Sequence, residues 1–441
     1  MEESHVDVLI SGCQIVTMDQ ERQVIEEGVI GVREDKIAFV LPAEELPPTL
    51  EAVQEIDGRG MVAIPGLINA HSHLAMTLFR GFVEDLTLQD WLETVWEYEL
   101  SVLNEDSVRI GSKLALAEMI RGGVTTAHDM YWHYTATMDL AEKLGFRLLI
   151  GSPITEVGGK TLKELMQEAR ETLEMAEDFQ TVHPVIQAHS IYTTSRELMA
   201  SVQELIEEYQ VPFTTHASEN QREVQEVQEQ FGVTPIVQLE KYGLLGEGTV
   251  LAHCVRVTEE DLDILGESGT HVVHCPESNL KLGSGIAPVA GMVERGINVC
   301  VGTDGAASNN DLDLLGELRL VPMLQKGVNQ DPRLIPTEMV LEMATIGGAR
   351  AYGLDDRIGS IESGKQADLV LIDFEKVHLK PCHDVYANLI YAANKFDVDT
   401  VLINGRLQLQ GGELIGFDRE ELLQEAGKVS GMFQKKNPDE N

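Results

Sequence analysis

Two histidines one residue apart close an apolar run in Ala63-Ile64-Pro65-Gly66-Leu67-Ile68-Asn69-Ala70-His71-Ser72-His73. In an extended strand residues i and i+2 share a side, so His71 and His73 project together from a strand tip and are placed to hold one metal ion. A buried, hydrogen-bonded histidine pair would look the same. Three later runs change the weight of that reading: Thr214-Thr215-His216-Ala217-Ser218-Glu219, Leu251-Ala252-His253-Cys254 and Val301-Gly302-Thr303-Asp304. Each again ends in a residue that can bind a metal or move a proton. Three imidazoles and one carboxylate suit one divalent ion, zinc or else iron in its ferrous form, with a position left for water. The expected ligands are His71, His73, His216 and Asp304. Such an ion draws the pKa of water towards neutrality. Glu219, at i+3 from His216, is expected to lean over that water as general acid and base without ligating the ion. His253, one strand further on, is expected to hydrogen-bond the attacking oxygen, and Asp304 to shuttle a second proton.

Any one of these residues, taken alone, reads equally as a polar group satisfied at a loop start. Their joint placement needs elements that bring four strand ends together. From about residue 61, strand-like runs recur at 61–73, 125–130, 147–153, 182–190, 212–218, 249–254, 271–276 and 298–304, with helical stretches between them. Asp106 to Arg121 and Asn220 to Phe231 carry apolar residues on one helical face. Eight βα units in a row predict an α/β fold, a (β/α)8 barrel whose active site lies at the carboxyl ends of the strands. His71, His73, His128, Asp129, His189, His216, His253, His274 and Asp304 all fall there.

Short strands flank that region. Val6–Gly12, Cys13–Met18, Gly28–Val32 and Ile37–Val40 read as hairpins of a small sheet, and Gly359–Asp373 and Thr400–Gly405 return to the same pattern. The expected organisation is a small β-sandwich built from both chain ends (1–60 and 359–417), the barrel over 61–358, and a C-terminal helix and tail over 418–441. Asp418 to Lys436 reads as a charged surface helix.

Composition bounds the partners. The formal charge of −40, from 73 acidic against 33 basic residues, repels nucleic acid and anionic membranes. No leader segment and no membrane-spanning run is read, so a cytoplasmic protein is expected, with a homo-oligomer allowed for. Cys13, Cys254, Cys275, Cys300 and Cys382 are odd in number and never spaced as a pair. That disfavours a disulfide framework or thiolate metal site.

Pro65-Gly66-Leu67-Ile68-Asn69-Ala70-His71-Ser72-His73, His216-Ala217-Ser218-Glu219, His253 and Gly302-Thr303-Asp304 resemble the motifs of the amidohydrolase superfamily, over nearly the whole chain. Trp91-Leu92-Glu93, Ala188-His189-Ser190-Ile191-Tyr192-Thr193 and Ser278 to Pro288 are most similar to its mononuclear subgroup of methylthioadenosine/S-adenosylhomocysteine deaminases and related chlorohydrolases. The resemblance implies a hydrolase acting on C–N bonds in cyclic amidines, releasing ammonia from an amino-substituted, purine-like heterocycle with water as co-substrate. It further implies that Glu99 grips a ribose diol and that His189 contacts the substrate ring. Trp96 and Trp91 lie in the same segment as Glu99, which is expected to cover the site as a lid. Binuclear relatives carry a carbamylated lysine at the fourth strand end, where this chain has His189, so one ion is expected. Ile150 to Lys160 departs from the subgroup in lacking arginine. Lys160 cannot form the bidentate fork that reads a carboxylate, which favours neutral substrates. Alternative readings are a triazine-type chlorohydrolase, a guanine- or pterin-type deaminase, and an inactive scaffold of the same fold.

Overall fold

In the computed structural model, which describes residues 5–431, the βα rhythm closes into a ring. The strands are Leu67–His73, Val124–Asp129, Arg147–Ile150 with Pro153–Ile154, Val182–Pro184 with Ile186–Ser190, Phe213–Ala217, Thr249–His253, His271–His274, and Val299–Val301 with Asp304–Gly305. Each pairs in parallel with the next. The last returns to the first, with Asp304 opposite Ser72 and Gly305 opposite His73. These strands are buried almost throughout, as expected for a parallel sheet covered on both faces. That is why they read as apolar runs.

Ring closure is secured by side chains as well as by the ladder. Asn69 donates to the Thr303 hydroxyl at 2.8 Å and accepts from the Thr303 N–H at 3.0 Å. Here the first and last strands are in near contact. A Cβ on Gly302 would lie 2.7 Å from the backbone N and O of His71, so glycine is the residue that fits.

The run 61–73, expected as one barrel strand, is divided. Met61–Pro65 pairs with Leu369–Asp373 and with His5–Val16, and only Leu67–His73 enters the barrel. Gly66 sits at the transfer point, where a Cβ would meet Thr125 Oγ1 at 2.1 Å. Both chain ends build one mixed nine-stranded sheet. The two short strands expected over residues 6–18 are a single strand, His5–Val16, irregular between Ser11 and Ile15. Its first part pairs with Glu51–Asp57 and its last part with Met61–Pro65. Val8, Ile10, Ile30, Leu369 and Leu402 share a core distinct from that of the barrel. The C-terminal helix spans Arg419–Ser430, capped by Asp418. The remainder of the expected helix, to Lys436, lies outside the described residues.

Arg147, at the start of the third barrel strand and 1% exposed, ties the barrel to this sheet. It is paired with Asp368, and also donates to Gln366, Asn404 and Thr126. Removing one partner of a buried ion pair costs about 3–5 kcal/mol, because the other charge is left without compensation. Arg147→Met should therefore lower unfolding stability by that order in urea titration. Turnover by the folded fraction should be unchanged, since Arg147 lies at the strand end remote from the catalytic face.

Among the described residues no helix is long and apolar enough to cross a membrane. The cysteines are free, and four of the five are buried.

Candidate active site

The first, fifth, sixth and eighth strands deliver their terminal side chains to one point at the carboxyl end of the barrel. His71 Nε2 lies 3.2 Å from His216 Nε2 and 3.6 Å from Asp304 Oδ1, and His73 Nε2 lies 3.1 Å from the same oxygen. His71, His73 and Asp304 form one group with metal-ligand spacing, and His71, His216 and His253 form another. His71 is thus shared, and His253 stands as close to the cluster as the expected ligands do. Glu219 is outside both groups. Its Oε2 is 3.9 Å from His253 Nε2, beside the cluster as a proton carrier must be.

The outward-facing atoms are held from behind. His73 Nδ1 donates to the Met130 carbonyl at 2.6 Å and His216 Nδ1 to the His189 carbonyl at 2.7 Å. A carbonyl accepts only, so both Nε2 atoms are left to face the centre. His253 Nδ1 meets Asn279 Oδ1 at 2.9 Å. Asp304 Oδ2 accepts from Ser278 at 2.6 Å and from Ser308 at 2.9 Å, which leaves Oδ1 for the histidines. Asp304, His253, Cys254 and Ser218 all have positive φ, at 60°, 76°, 45° and 52°. Such backbone is sparsely populated by side-chain-bearing residues, and clusters of it mark functional turns.

Electrostatics fit a cation at this point. Burial pulls His71 down to about 4 and His216 well below the usual range, giving the neutral imidazoles that metal binding requires. Burial also opposes charge on His73, yet its contact with Asp304 prevails and holds it up at about 9. Burial likewise disfavours the Asp304 carboxylate, but His71 and His73 hold it well below its ordinary value. The field that keeps a proton on His73 would favour a divalent ion in its place. Burial raises Glu219, partly offset by His253, which brings its carboxyl towards a working pH.

A cleft opens above the cluster. The helix Leu88–Val102, capped by Thr87, forms much of its wall. Leu88, Trp91, Leu92, Val95 and Glu99 are its buried face, spaced as one helical stripe. Trp91, Trp96, Glu99, His189, Glu219, His253 and Asp304 all line the cavity. His189 Nδ1 contacts Thr193 Oγ1 at 3.0 Å, and its ring lies 5.5 Å from Trp96. Glu99 Oε2 accepts from Trp132 Nε1 at 2.8 Å, and its buried carboxyl also lies beside the Tyr131 hydroxyl.

Several of these contacts were not anticipated from sequence. Trp132 and Tyr131 follow the second strand and enter the cavity wall; Trp132 is one of only three tryptophans, which was the available signal. Ser278 and Asn279 fall in a run that carries the family resemblance, but nothing in it announces these contacts, and Ser308 carries no signal. His128, although at a strand end, pairs with Gln187 at 3.0 Å behind the cluster. Neither ring nitrogen of buried His274 has a hydrogen-bond partner.

Comparison with known proteins agrees with this architecture. The Amidohydrolase family model matches residues 62–407. The chain is 40% identical over 427 residues to a 5-methylthioadenosine/S-adenosylhomocysteine deaminase from Syntrophobacter fumaroxidans, covering 96% of this chain and 98% of the relative. It is 39% identical over 413 residues to a 5'-deoxyadenosine deaminase from Methanothermobacter thermautotrophicus, covering 92% and 94%. A crystal structure of an adenosine deaminase from Xanthomonas campestris with bound zinc superposes with a TM-score of 0.95 at 34% identity, covering 98% of this chain and 99% of that one. The histidine and aspartate cluster at the strand ends and the match along most of the length agree: the chain belongs to the amidohydrolase family.

Proposed function

We propose that this amidohydrolase is a metal-dependent deaminase that hydrolyses the exocyclic amino group of an adenine nucleoside. The observation that carries the proposal is the placement of Glu219 and His253, facing each other at 3.9 Å beside the His–Asp cluster on the floor of a tryptophan-walled cavity. A flat heterocycle laid against such walls would present its ring edge to that pair.

His71, His73, His216 and Asp304 would hold one divalent ion, zinc in this proposal, whose chemistry is to lower the pKa of water. Glu219 takes a proton from the attacking water and delivers it to the ring nitrogen beside the amino-bearing carbon. The water oxygen forms its bond to that carbon while His253 steadies it. Asp304 passes the second proton to the amino group, the C–N bond breaks, and ammonia leaves. His189 and Trp96 contact the ring from the cavity wall.

Glu99 is proposed to bind the ribose diol. Its buried carboxyl lines the cavity and offers an acceptor of the kind a hydroxyl would meet. Hydrogen bonds to charged groups contribute about 1.5–3 kcal/mol. Glu99→Ala should therefore raise KM by roughly 10- to 100-fold for nucleosides and leave free bases nearly unaffected; equal losses for both would refute the ribose role. Lys160 is already paired with Glu168, which supports neutral 5'-substituents such as those of adenosine, 5'-deoxyadenosine or methylthioadenosine. A panel of these with S-adenosylhomocysteine, guanine, a pterin and a chlorinated triazine, assayed for ammonia and chloride release, tests the assignment. Release from the triazine or guanine alone would overturn it. A cytoplasmic site of action is part of the proposal.

A further inference from the structure

The loop that carries Glu219 has little of its own to hold it. Ser218 is fully buried with φ at 52°, and Asn220 is already the N-cap of the next helix, Gln221–Phe231. On one side, the Arg256 N–H donates to the Ser218 carbonyl at 2.8 Å, knitting this loop to the turn that carries His253. On the other side stands Glu223, 2% exposed. As the third residue of the helix it is positioned for a capping box, in which it would accept from the N-cap N–H. It reaches further back instead. Its Oε1 accepts from the Ser218 N–H at 2.8 Å and its Oε2 from the Glu219 N–H at 2.6 Å. Its own N–H donates to Asn220 Oδ1 at 2.9 Å.

One carboxyl group therefore holds the two consecutive peptide N–H groups that flank the Cα of Ser218. Two hydrogen bonds from one carboxyl group onto one short segment fix orientation as well as position. They also satisfy donors that the left-handed turn at Ser218 would otherwise bury unpaired. We infer that Glu223 is the positioning residue for Glu219: it clamps the Ser218–Glu219 backbone in the strained turn that aims the Glu219 carboxylate at the reacting centre. It lines neither the cavity nor the groups with metal-ligand spacing, and its effect passes through Glu219. The inference rests on the catalytic role proposed for Glu219 and extends it.

The test uses the full chain loaded with zinc. Glu223→Gln preserves size but turns an NH2 group towards one of the two N–H donors, so one bond is replaced by a clash of donors. A misplacement of about 1 Å can cost 10²-fold in rate, so kcat should fall by roughly 10- to 100-fold. KM and zinc content should stay within about twofold, because the cavity wall and the ligands are held by other elements. Amide exchange should quicken at Ser218 and Glu219. Glu223→Asp, which keeps two acceptors on a shorter arm, should lose less. In a Glu219→Gln background, adding Glu223→Gln should change kcat by less than about twofold, since the group it aims is already disabled. Multiplying losses in the double variant would overturn the proposal. So would an unchanged kcat in Glu223→Gln, or a loss that follows zinc content alone. Full activity in Glu219→Gln by itself would instead overturn the reading on which the proposal rests.

Discussion

Glu219→Gln is expected to keep its metal and its fold while kcat falls by ~10²–10⁴-fold, the range over which positioned general acids and bases act. The amide matches the carboxylate in size and hydrogen-bonding capacity but cannot accept a proton near neutral pH. The expectation follows from geometry as much as from chemistry. Glu219 lies outside the two groups with metal-ligand spacing and 3.9 Å from His253 Nε2, so its charge is not needed to hold the ion. The loss could exceed the upper end of that range, because the same carboxyl both receives and delivers a proton. Steady-state kinetics paired with metal analysis of the same preparation checks it. Normal turnover with metal in place would move the proton relay to His253 or Asp304.

The second large effect concerns the ion itself. Purified protein should carry about one zinc or iron per chain, as a centre of three histidines and one aspartate implies. His71→Ala should lose most of it together with activity, because His71 is the side chain common to both ligand groups. Asp304→Asn should also lower metal content, in contrast to Glu219→Gln. It removes the charge that opposes desolvation of His73 and leaves Ser278 and Ser308 donating to a weaker acceptor. Elemental analysis after dialysis separates the three variants. Two tightly held ions per chain, or full metal retention in His71→Ala, would refute the mononuclear centre.

How far the sequence foretells this site depends on the distance over which each contact is made. The barrel strands are buried on both faces, so they appear as unbroken apolar runs, and their chemistry follows where those runs stop. His71, His73, His216, His253 and Asp304 were legible for that reason. The helix Gln221–Phe231 was legible too, because Asn220 and the apolar stripe through Val224 and Val227 are local signals. Met61–Pro65 was misplaced because its composition continues that of Leu67–His73; only its partners, Leu369–Asp373 and His5–Val16, tell the two apart. The contacts behind the histidine and aspartate cluster were harder to read for a similar reason. Ser278 and Asn279 reach Asp304 and His253 from the short helix Pro276–Lys281, and Ser308 reaches Asp304 from the turn after the eighth strand; none of these contacts has a periodic signal. Trp132 meets Glu99 only because a helix inserted after the first strand folds back over the mouth.

The closure of the ring also bears on how the protein is made. Asn69 and Thr303, which lock the first strand to the last, are 234 positions apart in sequence. Domains begin to form from the amino terminus while synthesis proceeds. A nascent chain halted before the eighth strand would hold the first-, fifth- and sixth-strand imidazoles, without the carboxylate or the neighbour that seats His71. Contacts of such separation form late and slowly, and an ion that binds only the assembled centre adds its binding free energy to folding at that step. The full set of expected ligands would then exist only once the eighth strand has docked, and ribosome-bound fragments ending short of residue 304, left with the His71, His216 and His253 group alone, should hold metal more weakly than the whole chain.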